Sequence, residues 1–216
     1  MKIDIDEMIE ILEKVHGSKK SAMTEVSEIR RDPFMVLISC ILSLRTKDEV
    51  TIKASKRLFK LADTMEGLSK LSTEEIEEAI YPVGFYKTKA ERIKQISLDL
   101  IEKYDSKVPD SIEELMKFKG VGRKTANIVI TIGFGKLGIA VDTHVHRISN
   151  RLGYVSTKKP DDTEFELRKK LPRRHWIRFN DLLVLHGKSI CTPISPKCSI
   201  CPIYGYCMRV GVEKSR

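Results

Sequence analysis

Four of the five cysteines fall within 17 residues, spaced Cys191-x6-Cys198-x2-Cys201-x5-Cys207. Any fold this chain adopts must bring four thiols around one centre. The first residues, Met1 to Glu7, are acidic and open no signal-peptide apolar region. The expected compartment is therefore the cytosol, where thiols stay reduced and disulfides are rare. Zinc usually takes two separated C-x2-C pairs, whereas here one such pair is flanked by single cysteines. The spacing favours a [4Fe–4S] cluster held by Cys191, Cys198, Cys201 and Cys207, with zinc as the competing reading. Cys40 lies inside an apolar run and reads as an inert core thiol.

The rest of the chain is patterned for helices. Met8, Ile9, Ile11, Leu12 and Val15 share one helical face. Asp32-Pro33 supplies an N-cap and a first-turn proline for a second helix. That helix, Phe34 to Leu42, is apolar all round and belongs at the centre of a domain. Ser72 with Glu75, and Thr88 with Glu91, read as capping boxes. Pro109-Asp110 precedes the apolar set Ile112, Leu115, Met116 and Phe118, and further helices are expected over 143–152 and 174–187. No stretch alternates as a strand would, and no apolar run reaches the roughly 20 residues that span a bilayer. With 41% hydrophobic residues among 216, the chain is expected to fold as an all-α, compact helical array without a membrane anchor.

One local segment carries chemistry. In Phe118-Lys119-Gly120-Val121-Gly122-Arg123-Lys124-Thr125, an apolar helix runs into Gly-x-Gly and a second helix begins at once. The free N–H groups at such a start can hold phosphate, as a helix–hairpin–helix gripping a DNA backbone requires. Gly-x-Gly alone equally fits an ordinary tight turn. Lys124 falls in the first turn, where the helix dipole opposes a cation and favours the neutral amine. A neutral lysine can attack a carbonyl-like carbon to form a Schiff base, or Lys124 can simply contact phosphate as a charge. Asp142, 18 residues on, stands at the start of the next expected helix. Helix plus glycine-rich return fills the interval, so the two helix starts can converge on one pocket, amine facing carboxylate.

The formal net charge is +9. Residues 1–30 hold 5 Lys+Arg against 7 Asp+Glu, so the surplus lies in the remainder. A basic excess suits a polyanionic partner. A single glutamine, Gln95, and three asparagines beside abundant Lys and Glu match the bias that heat selects.

In this order, the hairpin, Lys124, Asp142 and the cysteine loop resemble the endonuclease III family of helix–hairpin–helix DNA glycosylases. The resemblance runs from about Asp32 to Cys207. It is strongest in Gly120 to Asn127, in Ala140-Val141-Asp142-Thr143-His144, and in Leu185-His186-Gly187 leading into the cysteines. It implies a six-helix domain over 26–133, and a cluster domain joining 1–25 to 134–216, with DNA in the cleft between them. It implies a monomer acting on double-stranded DNA that carries a damaged base or an abasic site. The damaged base, by family default an oxidised pyrimidine, is flipped out. Lys124 attacks C1′, Asp142 supports the reaction, and β-elimination nicks the strand.

The resemblance also assigns DNA contacts. Gly120, Val121, Gly122, Arg123 and Thr125 belong to the hairpin, and His144 to the Asp142 motif. Arg45 and Phe85 occupy the two loops that fill the space left by the flipped nucleotide, and Lys197 is a basic residue of the cluster loop. Arg45 replaces a usual glutamine and Lys119 a usual proline, which bears on opposite-base preference and substrate range. His144 and His186 read as structural rather than catalytic. The rival readings are an alkylpurine or mismatch-specific glycosylase, and a non-catalytic iron–sulfur DNA-binding module.

Overall fold

The computed structural model describes residues 4–17 and 32–216. Among them are helices, turns and irregular segments but no strand. The chain forms two compact units, one of residues 32–138 and one joining 4–17 to Ile139–Arg216. The expected boundary at 25/26 lies outside the described residues. The later division falls between Gly138 and Ile139 rather than at 133/134. Gly138 still packs on Asn127 and Thr131 of the first unit, whereas Ile139 is buried in the core of the second.

The 32–138 unit is built on helix α2, Pro33–Ser43. Asp32 caps it, its Oδ1 accepting from the N–H groups of Phe34 and Met35 at 2.8 and 3.1 Å. Every residue from Phe34 to Leu42 is buried, as its uniform apolarity requires. Next come α3 (Asp48–Leu61), α4 (Met65–Lys70), α5 (Thr73–Ile80) and α6 (Tyr86–Lys103), of which α3 and α6 pack against α2, and α4 and α5 against α6. Then follow the single turn α7 (Ile112–Leu115), α8 (Arg123–Ile128) and a π-helical continuation, Val129–Gly133. The Ser72–Glu75 capping box forms in full at the start of α5. The Thr88–Glu91 pair does not cap α6. That helix starts three residues earlier than the pair implies, at Phe85, whose left-handed φ of 58° makes the entry turn without a side-chain cap.

The other unit is completed by α1, Ile5–His16. Ile5, Met8, Ile9 and Leu12 enter one core with Ile148 and Leu152 of α9 (Thr143–Leu152) and Phe179 and Leu183 of α11 (Trp176–Ser189). Val15, expected on the same face, is exposed at the helix end. Helix α10 (Pro160–Lys170) flanks α9. Beyond α11 the chain has only two short 3-10 turns, Cys198–Ile200 and Tyr204–Tyr206. No helix among the described residues is long and apolar enough to cross a membrane.

Candidate DNA-repair site and cysteine centre

The hairpin forms where the glycines stand. Gly120 has φ of 90°, a left-handed value glycine adopts without strain. It lets the N–H of Val121 donate back to the Phe118 carbonyl at 3.0 Å. Gly122 then caps α8 with no side chain to satisfy the first amides, and a Cβ placed there would meet nothing within 4 Å. The start of α8 is therefore open, with backbone amides that no side chain caps at its positive end. Gly120 and Gly122 are exposed, while Val121 and Thr125 are buried at 6% and 3%. The side chains of Val121 and Thr125, assigned to DNA by resemblance, thus pack inward, while the two glycines and Lys119 are exposed and Arg123 is partly so. Lys124 is half-buried in the first turn. Its charge is felt by the Cys40 thiol on α2, but burial dominates there and pushes that thiol up to about 12. Cys40 is thus held as a neutral core group.

In the other unit Asp142 is the N-cap of α9. Its Oδ1 accepts from the N–H groups of both His144 and Val145 at 2.8 Å. Among the described residues Oδ2 has no hydrogen-bond partner, so one oxygen builds the helix and the other is available for chemistry. His144 is tied into packing: its Nδ1 lies 3.1 Å from Arg147 Nη2. A Cβ on Gly187 of α11 would stand 2.4 Å from that nitrogen. Only a glycine on α11 lets α9 approach this closely.

The four cysteines line one cavity together with His186, Arg151, Lys197 and Ile203, and none is disulfide-bonded. Among the described residues no three His, Cys, Asp or Glu side chains close on a single-ion point. The thiols line one cavity, and their spacing along the chain suits a cluster better than one tetrahedral zinc. The surroundings favour bound sulfur. Arg151 Nη1 donates to Cys191 Sγ at 3.3 Å and the Arg209 N–H to Cys207 Sγ at 3.4 Å. His186 Nε2 lies 3.6 Å from Cys201 Sγ. Burial pushes the Cys201 thiol up to about 11, reinforced by the other three cysteines. A bare thiolate is costly there, and iron is the charge that would offset it. The donor set fits an iron–sulfur group.

Sequence reasoning missed the arginines that hold this loop. Arg147 Nη2 donates to the Cys191 carbonyl, and Arg151 donates to the Thr192 and Pro193 carbonyls, each at 2.7 Å. The two sit four apart on α9, one helical face with His144, and that spacing was the available signal. Because the 191–207 segment has almost no regular structure, the cluster should be its main organiser. The purified protein should contain about four iron atoms per chain. Cys201→Ser should lose iron and solubility and open 191–207 to proteases before any defect in chemistry can be isolated. One zinc and no iron on elemental analysis would overturn the cluster assignment.

Comparison with known proteins agrees with this geometry. Residues 38–173 match the HhH-GPD superfamily of base excision DNA repair proteins. Residues 191–207 match the iron–sulfur binding domain of endonuclease III. Endonuclease III of Thermotoga maritima is 53% identical over 176 residues, covering 82% of this chain and 83% of that protein. The cattle endonuclease III-like protein 1 is 42% identical over 81% of this chain, which spans only 57% of that longer relative. A trapped covalent endonuclease III–DNA intermediate superposes with a TM-score of 0.84 at 34% identity, covering 95% of this chain and 94% of that one. The chain therefore belongs to the HhH-GPD superfamily of base excision DNA repair proteins, within its endonuclease III branch of iron–sulfur DNA glycosylase/lyases.

Proposed function

We propose that Lys124 is the nucleophile and Asp142 its carboxylate partner in excising oxidised pyrimidines from double-stranded DNA. The observation that carries this reading is the open start of α8. A glycine cap with clear space around it and no side-chain cap sets an amine beside the positive end of a helix, so phosphate and nucleophile can share one location. The flipped nucleotide presents C1′ to Lys124 Nζ. As the N–C1′ bond forms, the glycosidic bond breaks and the base leaves with its electron pair. Asp142 Oδ2 stabilises the positive charge developing on the sugar or takes the proton lost from nitrogen. Ring opening gives the iminium. Loss of a C2′ proton then expels the 3′ phosphate, nicking the strand, and water releases the enzyme.

The iron–sulfur cluster serves in this reading as the brace of the 191–207 loop, which presents Lys197 to the DNA backbone. Lys197→Glu should weaken binding to damaged and undamaged duplexes alike, and should flatten the salt dependence by about one ion. A change confined to lesion choice would contradict the backbone-contact role. We also place the chain in the cytosol as a monomer. Thiols kept for iron need a reducing compartment, and the hairpin, lysine, aspartate and cluster loop all belong to one chain. Light scattering of the DNA complex at one protein per duplex tests the stoichiometry.

The function is tested with duplexes that each carry one damaged base, alongside an abasic duplex and borohydride. Cleavage of oxidised-pyrimidine and abasic duplexes, with a covalent adduct, is the expected result. Excision of alkylpurines without nicking would favour the monofunctional alternative.

A further inference from the structure

We propose that Lys89 is a positioning residue that locks the Arg45 loop to the Phe85 loop, so that the two exposed tips act on DNA as one rigid element. Lys89 lies in the first turn of α6 and is 2% exposed. Its Nζ donates to the Leu42 carbonyl at 2.9 Å, the Leu44 carbonyl at 2.6 Å and Thr46 Oγ1 at 3.1 Å. Three donors thus meet three acceptors, all on the end of α2 and the loop after it. Burial, with a contribution from Arg92, pushes its pKa down to about 8, so the ammonium and its three donors persist at neutral pH.

The loops are also joined directly. Thr46 Oγ1, already bonded to Lys89, accepts the N–H of Gly84 at 3.2 Å. A Cβ on Gly84 would stand 2.7 Å from the Arg45 carbonyl oxygen, so the two backbones touch there. Both tips carry strained backbone: Arg45 has φ of 52° and Phe85 of 58°. Neither residue has glycine's freedom, and such conformations persist only where the surroundings over-determine them. The Arg45 guanidinium lies 5.8 Å from the centre of the Phe85 ring, within cation–π range. Phe85 is 65% exposed, so its own side-chain packing contributes little to holding it. Buried Lys89 and half-buried Thr46 supply that hold.

This rests on the DNA role read for the two loops, and the test separates the two. Affinities for a stable abasic-analogue duplex and for an undamaged duplex are measured with full-length, iron-loaded protein. The variants are Thr46→Val, Lys89→Met, Arg45→Ala, Phe85→Ala and the Arg45/Phe85 double. Thr46→Val deletes the shared hydroxyl while leaving the Lys89–carbonyl bonds, so the test survives if Lys89→Met fails to fold. Thr46→Val should retain the undamaged-duplex affinity and lose roughly five- to tenfold on the abasic analogue. The effects of Arg45→Ala and Phe85→Ala should be non-additive in the wild-type background and additive beside Thr46→Val. If Arg45→Ala and Phe85→Ala weaken abasic binding while Thr46→Val and Lys89→Met do not, the coupling is wrong and the loops' DNA role stands. If none of the four matters, both fall.

Discussion

Replacing Lys124 by glutamine is expected to reduce strand nicking and borohydride trapping to background while leaving DNA binding largely intact. Glutamine keeps the length of the side chain and a comparable helix propensity, so the first turn of α8 should survive. What it lacks is an amine that can form a carbon–nitrogen bond at C1′. The phosphate contacts proposed for the exposed Gly120 and Gly122 do not depend on the lysine. Affinity for an abasic-analogue duplex should therefore remain within a few-fold of wild type, as backbone contacts supply much of the binding. Peptide mapping of the adduct formed by the wild-type protein should place the DNA on Lys124. Attachment at another lysine or at the N-terminal amine, with Lys124→Gln still active, would remove the centre of the mechanism. A DNA-binding iron–sulfur protein would be all that remained.

The second large effect is at Asp142, where two substitutions separate two roles. Asparagine still caps a helix, so Asp142→Asn should keep the N–H groups of His144 and Val145 satisfied and the melting temperature close to wild type. It carries no negative charge to meet positive charge on the sugar, and turnover should fall by roughly 10²–10³-fold. Asp142→Ala should show the same catalytic loss and also cost about 0.5–2 kcal/mol of stability, because the cap goes too. Thermal unfolding and single-turnover excision, run on both variants, give the comparison. If Asp142→Asn turned over at the wild-type rate, the residue would be a helix cap and nothing more.

The parts of this molecule legible in sequence are those whose cause is local. Asp32-Pro33, Ser72 with Glu75, and Asp142 each announced a helix start because capping is settled within four residues. The uniform apolarity of Phe34–Leu42 announced burial for the same reason. The Thr88–Glu91 box was a false signal. Its pattern was correct, but a positive φ at Phe85 had already opened the helix, and backbone conformation at a loop tip is set by what the loop touches. The partners of Lys89, Arg147 and Arg151 were hidden for a related reason, although the spacing of the two arginines marked a shared face. Their acceptors are main-chain carbonyls more than 40 residues away, and a carbonyl has no signature in sequence. The inward turn of Thr125 was likewise hidden, since hairpin residues of similar polarity divide between surface and core by a rotation of one helix position.

The joining of α1 to the cysteine-bearing unit sets an order of events during synthesis. Helix α1 emerges before the 32–138 unit, yet the groups that hold it emerge after that unit: Asp6 pairs with Arg174 and His175, and Glu13 with Arg178. These contacts close intervals of 165–169 residues, whereas the 32–138 unit is one continuous stretch of chain. Loop closure is the slow, entropically costly part of assembly. The hairpin-bearing unit should therefore be complete while α1 still waits with an unmatched apolar face. The cysteine loop, which follows every α-helix of both units, should acquire its metal only after α1 has found its place.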